Sequence, residues 1–296
     1  MSRLRIGTCS WKFPSWEGLV YSAPKGINYL HEYARKYDTV EVDQWFWSLF
    51  EGSAPRLPSA SDVAEYRASV PDDFRFTVKV PNSVTLTHYY TKSKSDPLVA
   101  NPYFLSPELF GQFLNLLGPM RGKLGPLMFQ FEYINKKKMS GQAEFLKRFG
   151  AFVDALPEGP EYALETRNSN WINAELFEFM AERKLVPVLL EGYWMPPVAQ
   201  VFRDWREPLL CSRAVVIRLH GPDREGMEKE TGKYWGTLVS PREAELVSVA
   251  EMTRELVDAG VEVTINVNNH FEGSAPLTIR RLRELLADRL QDLPAA

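Results

Sequence analysis

At 296 residues, with 45% hydrophobic and 25% charged residues, the chain has the makeup of an ordinary globular protein and can bury a core without disulfide or metal staples. A formal net charge of -3 argues against nonspecific coating of nucleic acid, which needs an excess of Lys and Arg. The two cysteines, Cys9 and Cys211, form neither a disulfide framework nor a CxxC metal signature, and there is no signal-peptide pattern and no membrane-length apolar run, so a cytoplasmic, non-membrane protein is expected.

Short β-branched runs alternate with longer stretches of helical character, the pattern of repeated βα units on a parallel sheet. Strands are expected at 4–8, 39–43, 75–80, 127–131, 162–166, 186–190, 215–220 and 261–267, with helices at 28–36, 60–69, 107–117, 141–155, 174–184, 241–259 and 278–290. Ser240 and Pro241 read as a helix start with Pro at the first helical position, Gly260 reads as a stop, and the last helix is expected after Pro276. The stretch 191–213 shows no clean helical period and is expected to be irregular. Segments 44–59, 81–106 and 221–238 exceed the usual loop length of about 4–6 residues and point to long loops at one end. Neither GxGxxG after the first strand nor GxxxxGK[ST] occurs, which favours closure over an open nucleotide-binding sheet. The expectation is one α/β domain over 1–296, a single (β/α)8 TIM-type barrel with long loops at its C-terminal rim.

In such barrels the site lies at the C-terminal ends of the strands, and residues two apart share a face. The rule pairs Glu41 with Asp43, Thr77 with Lys79, Glu165 with Arg167, Arg218 with His220, and Asn266 with Asn268. Glu41 and Glu165 are candidate general acid and base, because two carboxylates in unlike surroundings can hold different pKa values. His220 is a candidate proton shuttle. Lys79, Arg167 and Arg218 are candidates for holding phosphate or carboxylate. The rival reading makes the same charges structural ion pairs that close the barrel mouth.

Among four histidines there is no HxxxH or HxH spacing, so no metal ligand set is assigned, although Glu41, Glu165 and His220 would suit a single ion; no cofactor is assigned either. Trp11, Trp45 and Trp171 follow expected strands, where rings stack on sugars or bases, or else pack the core. No GxSxG elbow occurs, and Cys9, with no histidine near it in sequence, reads as a small residue ending the first strand. Lys136, Lys137 and Lys138 read as a solvated loop.

The stretches IGTCSW (6–11), TVEVDQWFW (39–47), FRFTVKVP (74–81) followed by Thr87 and His88, MFQF (128–131), YALETRNSNW (162–171), IRLHG (217–221) and NNHFEGSAP (268–276) occur in an order that resembles the domain-of-unknown-function 72 family, the YecE-like proteins. The resemblance runs over almost the whole chain and implies a TIM-type barrel but no particular reaction. It carries over Glu41, Lys79, His88, Glu165, Arg167, Trp171, Arg218, His220, Asn268 and Asn269 as pocket residues. The chain departs from the pattern at 43–47, where relatives show an Asn, a small residue and a Phe-Tyr pair.

Together these readings lead to an enzyme, of hydrolase, lyase or isomerase type, acting by acid-base catalysis on a polar anionic substrate, sugar-phosphate-like or nucleotide-like, in the rim pocket. A nucleic-acid-binding or endonuclease-like barrel, and a noncatalytic binder of a small ligand, are the alternatives. Nothing in the sequence sets the oligomeric state.

Overall fold

The structure, a computed structural model, describes residues 4–91, 93 and 95–288. Its strands are β1 (Leu4–Cys9), β2 (Thr39–Val42), β3 (Arg75–Lys79), β4 (Leu124–Gln130), β5 (Tyr162–Glu165), β6 (Val186–Gly192), β7 (Ala214–Gly221) and β8 (Glu262–Val267). They close in chain order into a parallel barrel, so the TIM-type architecture read from the sequence is present. A parallel sheet is covered on both faces, which is why its strands are near-continuous apolar runs. All eight residues of β7 are buried.

The helices are α1 (Tyr29–Tyr33), α2 (Ala60–Ser69), α3 (Asn82–Thr85), α4 (Pro107–Leu116), α5 (Gln142–Asp154), α6 (Ala174–Glu182), α7 (Val198–Asp204), α8 (Arg206–Leu210), α9 (Arg224–Thr231), α10 (Glu243–Asp258) and α11 (Ala275–Asp288). Several start on side-chain caps. Ser106 Oγ accepts from Leu109 N at 3.1 Å with Pro107 in the first turn, and Asn173 Oδ1 accepts from Leu176 N at 3.1 Å. None of the described helices is long and apolar enough to cross a membrane.

Three expectations about helices are corrected. Residues 191–213 are not irregular, because they hold α7 and α8. Val198, Val201, Phe202 and Leu209 are buried there, and the buried Glu191 at the end of β6 reaches round to accept from Val198 N at 2.8 Å, so a long-range cap replaces a local one. Pro241 is not at the first position of α10, which starts two residues later. The carboxylate of Glu272 accepts from Arg242 N at 2.6 Å, and its carbonyl accepts from Val239 and Ser240, which hold that segment out of the helix. Pro276 does not precede α11 but lies in its first turn, where a missing N–H costs nothing. The expected end of that helix at 289–290 lies outside the described residues.

The chain divides into two compact units, residues 1–41 with 187–296, and residues 42–186. In the first, Gly7, Arg218 and Asn266 stand opposite one another in register across β1, β8 and β7, with Cys9 and Glu41 paired two residues further on. This parity sends the polar residues to the barrel interior. Val215, Ile217, Leu219, Val263, Ile265 and Val267 share the other face and are buried, and there β8 packs against α10 and α11, whose Leu246, Val249, Ile279 and Leu282 are buried. In the second unit, Thr77, Lys79, Met128, Gln130, Ala163 and Glu165 share one face of β3, β4 and β5, while Phe76, Val78, Leu127, Phe129 and Leu164 share the other.

Glu272 is fully buried and ties the segment before α10 to α11: it accepts from Arg242 N in the first, and from Thr278 Oγ1 at 2.7 Å and the Arg281 guanidinium in the second. Glu272→Ala should cost about 2–4 kcal/mol in urea unfolding, because buried donors lose their acceptor. Glu243→Ala, which removes an exposed partner of the same arginine, should cost less than about 1 kcal/mol. Equal losses for the two variants would contradict this account of the 239–242 segment.

Candidate functional site

In the first unit, the interior of the strands carries a fully buried ion pair. Arg218 Nε donates to Glu41 Oε2 at 2.7 Å and Arg218 Nη2 donates to Glu41 Oε1 at 2.6 Å, with the side chains 1% and 0% exposed. The fork matches the carboxylate in both directions, the strongest ordinary geometry for such a pair. Two residues further along β7, His220 reaches the same region. Its Nε2 lies 3.5 Å from Cys9 Sγ, and Cys9 Sγ lies 3.6 Å from Glu41 Oε2 and 3.6 Å from the carbonyl of Asn266. Cys9, Glu41 and His220 are all buried and each presents a donor atom within 4.8 Å of the others.

The other ring nitrogen of His220 faces a residue from the end of β6. Tyr193 OH lies 3.4 Å from His220 Nδ1. The turn that delivers it is unusual, since Gly192, Tyr193 and Gly221 all have positive φ, at 135°, 56° and 78°. A Cβ on Gly192 would stand 2.3 Å from the Gly221 carbonyl oxygen, and one on Gly221 would stand 2.4 Å from that of His270. Only glycine permits both the angles and the approach. A tyrosine held in the left-handed region is a strained residue, of the kind that accumulates at working sites.

Asn266, in register with Arg218, is 0% exposed, and neither atom of its amide has a hydrogen-bond partner. A buried polar group without a partner costs free energy, and native structures keep few of them. Further out, His270 packs edge-on to Trp235 with ring centroids 5.0 Å apart, and its Nε2 lies 3.2 Å from Glu228 Oε1. Burial, then the charge of Arg224, pushes the His270 imidazole below its usual pKa. Hydrogen bonds from Arg224 and then Lys233 draw Glu228 down to about 2.

The second unit has a polar set of its own. Arg167 Nε donates to the buried Glu165 at 2.8 Å, and Lys79 Nζ sits 3.7 Å from the centre of the Phe46 ring. Thr87 Oγ1 donates to Glu132 at 3.1 Å, with His88 Nδ1 3.0 Å from the same hydroxyl, and Lys138 pairs with Glu132 at 2.5 Å. Burial holds the His88 imidazole below its usual pKa, with the Lys138 ammonium adding to the effect.

Residues 5–296 match the family described as "Protein of unknown function DUF72". The chain belongs to the DUF72 family. It is 28% identical over 246 residues to UPF0759 protein YecE of Escherichia coli strain K12, covering 78% of each chain. To UPF0759 protein YecE of Escherichia coli O157:H7 it is 27% identical over 201 residues, 68% of this chain, and the match spans 59% of that relative's length. Two solved DUF72 structures share the fold. One, from Enterococcus faecalis V583, has a TM-score of 0.66 at 19% identity, with 99% of this chain and 97% of that one covered. The other, from Thermotoga maritima MSB8, has a TM-score of 0.63 at 22% identity, covering 96% and 98%.

Within this DUF72 chain the candidate residues fall in both units. Glu41, Arg218 and His220 converge, and Cys9 and Tyr193 join them. Asn268 and Asn269 take turn-forming roles: Asn268 Oδ1 accepts from His270 N at 3.0 Å, and Asn269 Oδ1 accepts from Ala275 N at 2.9 Å at the start of α11. Trp45 stacks on Tyr66 at 5.3 Å, Trp171 stacks on Phe145 at 5.1 Å, and all three tryptophans read as binding rings, Trp11 included, are at most 4% exposed. Burial and stacking favour the packing alternative for these rings. Cys9 was legible only as a strand end, because its partner His220 is 211 residues away, and Tyr193 lay in a stretch with no pattern. The one available signal was parity, since Cys9 and Gly7 share the face that Arg218 and His220 occupy on β7.

Removing Arg218 while leaving Glu41 strands a buried carboxylate. Arg218→Met should destabilise the protein by about 3–5 kcal/mol in denaturant unfolding, and adding Glu41→Leu should restore a large part of it. No recovery in the double variant would show that the pair is not the reason. Titration of the folded protein with a bulky thiol reagent should modify the exposed Cys211 quickly and the buried Cys9 slowly. Cys211→Ser should then leave no fast phase, and a surviving one would show that a bulky reagent reaches Cys9 freely.

Proposed function

We propose that this protein is an enzyme of acid-base type, a hydrolase, lyase or isomerase, that activates water or a small polar substrate at a centre built from Cys9, Glu41 and His220. The observation that carries the reading is the meeting of three ionisable groups on one buried point, with Cys9 Sγ 3.5 Å from His220 Nε2 and 3.6 Å from Glu41 Oε2.

The roles differ from those expected of two free carboxylates. Glu41 has both oxygens engaged by Arg218, so it acts as a fixed negative charge that orients the centre. Arg218, by the same contact, is committed to Glu41, and the reading does not require it to bind an anionic group. His220 stands between Cys9 on one ring nitrogen and Tyr193 on the other, a line along which protons can pass. Lys79 and Arg167, in the second unit, have the chemistry to hold a negatively charged group.

The test is a screen of purified protein against ester, phosphate, lactone and sugar-isomerase substrates, followed by Cys9→Ala and His220→Asn. Both variants should lower kcat/KM for any substrate turned over by at least about 100-fold, the scale of a lost acid-base group. Cys211→Ser should leave it unchanged. A turnover that survives both substitutions belongs to another site and would overturn the assignment.

A further inference from the structure

We infer that Cys9, Glu41 and His220 form a binding site for one borderline-soft divalent cation of the zinc type, with an open fourth position. The inference rests on the proposed function for its location only. The geometry is the first argument. Zinc binds thiolate sulfur at roughly 2.3 Å and imidazole nitrogen or carboxylate oxygen at roughly 2.0–2.2 Å, and tetrahedral angles then place a sulfur and a nitrogen or oxygen ligand roughly 3.6 Å apart. The two edges that meet at Cys9 Sγ are 3.5 Å to His220 Nε2 and 3.6 Å to Glu41 Oε2. These are the separations that a tetrahedral ion sets.

The second argument is the set of groups behind the three donors. Metal-binding imidazoles and carboxylates are held by outer hydrogen bonds that fix the lone pair on the ion. Here Tyr193 OH faces His220 Nδ1 at 3.4 Å, so a proton on Nδ1 leaves the Nε2 lone pair for the cation. Arg218 Nε donates to Glu41 Oε2 at 2.7 Å, which uses one lone pair of that oxygen and leaves the other on the Cys9 side. The strained φ of 56° at Tyr193 delivers its hydroxyl to that place.

The third argument is independent of the donors. Asn266 is fully buried on the same interior face, its carbonyl 3.6 Å from Cys9 Sγ, and its amide has no partner. The contact to Cys9 is through the backbone carbonyl, and the orphaned amide lies on the same interior face, two residues back along the sheet from the Cys9–Glu41 pair, as a polar group for a ligand of the ion to engage. Charge agrees as well. A thiolate and a carboxylate bring two negative charges, Arg218 one positive and the cation two, so a bound water gains by releasing its proton. Binding removes the Cys9 thiol proton to solvent, and the thiolate lone pair forms the bond to the ion. Soft sulfur with imidazole selects zinc-like ions over magnesium or calcium, which prefer oxygen. With the ion in place, activation of water in the proposed reaction passes to the ion, and His220 serves as ligand.

The test is titration of the full chain, first stripped with a chelator, with Co2+ and Zn2+. One equivalent of Co2+ should bind, giving a thiolate-to-cobalt charge-transfer band and tetrahedral d-d absorption, and Zn2+ should displace it. Cys9→Ser should abolish the charge-transfer band, and both Cys9→Ser and His220→Gln should weaken affinity by more than about 100-fold, past the 10–100-fold that loss of an outer partner costs. Tyr193→Phe should weaken it by about 10-fold. Cys211→Ser should retain the band, and circular dichroism with thermal melting confirms that each variant is folded. Absence of stoichiometric binding to the wild type, or a band that survives in folded Cys9→Ser, overturns the site. Turnover that persists in stripped protein but is lost in Cys9→Ala overturns the metal and leaves the enzyme reading standing. Stoichiometric thiolate-bound Co2+ in a protein without turnover supports the site and counts against the enzyme reading.

Discussion

The buried pair of Arg218 and Glu41 is the constraint on which the interior of the first unit depends. Two opposite charges, at most 1% exposed, lose nearly all of their hydration, and only close, two-pronged contact offsets that loss. The pair joins β2 to β7 across 177 residues of chain. It also dictates what surrounds it, because a carboxylate held in both directions cannot turn away from Cys9, and a guanidinium held by it fixes the inward face of β7. Replacing such a pair with apolar residues is often neutral for stability, and what the pair does in this structure is hold the Glu41 carboxylate 3.6 Å from Cys9 Sγ.

Backbone geometry works to the same end. At the ends of β6 and β7, Gly192 and Gly221 pass so close to neighbouring carbonyls that neither could carry a side chain. That approach lets Tyr193 accept a left-handed conformation, with its N–H donating to the Gly221 carbonyl at 3.1 Å and its hydroxyl facing His220. The same region ends with Glu191 turned to the other face, where burial raises its carboxyl above the usual range even as it caps α7. Successive residues of β6 thus serve the helical layer and the interior in turn, as the two-residue period of a strand requires.

How much of the site was legible follows from which interactions are local. Strand parity, a local property, brought Glu41, Arg218 and His220 forward, because each is a polar residue at the end of an apolar run. It also named Lys79 and Glu165, which share a face in the second unit. Partnership is not local. Arg218 reads as a binder of an external anion, and the partner it holds in the structure is Glu41, 177 residues away. The tryptophans at 45 and 171 read as loop platforms because they follow strands; stacking on Tyr66 and Phe145 makes them core, a choice made by neighbours 21 and 26 residues away that no spacing rule reports.

The sequence by itself determined the barrel, since eight short β-branched runs alternating with helical segments have few ways to bury both faces of a parallel sheet. It determined too which end of each strand is polar, and hence where chemistry could gather. What only the tertiary structure decided is which of those groups meet. Cys9 passed as a small residue at a strand end until closure of the sheet set β1 beside β8 and β2 and brought His220 to its sulfur, a contact between residues 211 apart in sequence. Such contacts follow from register and closure, which belong to the whole sheet and to no segment of it.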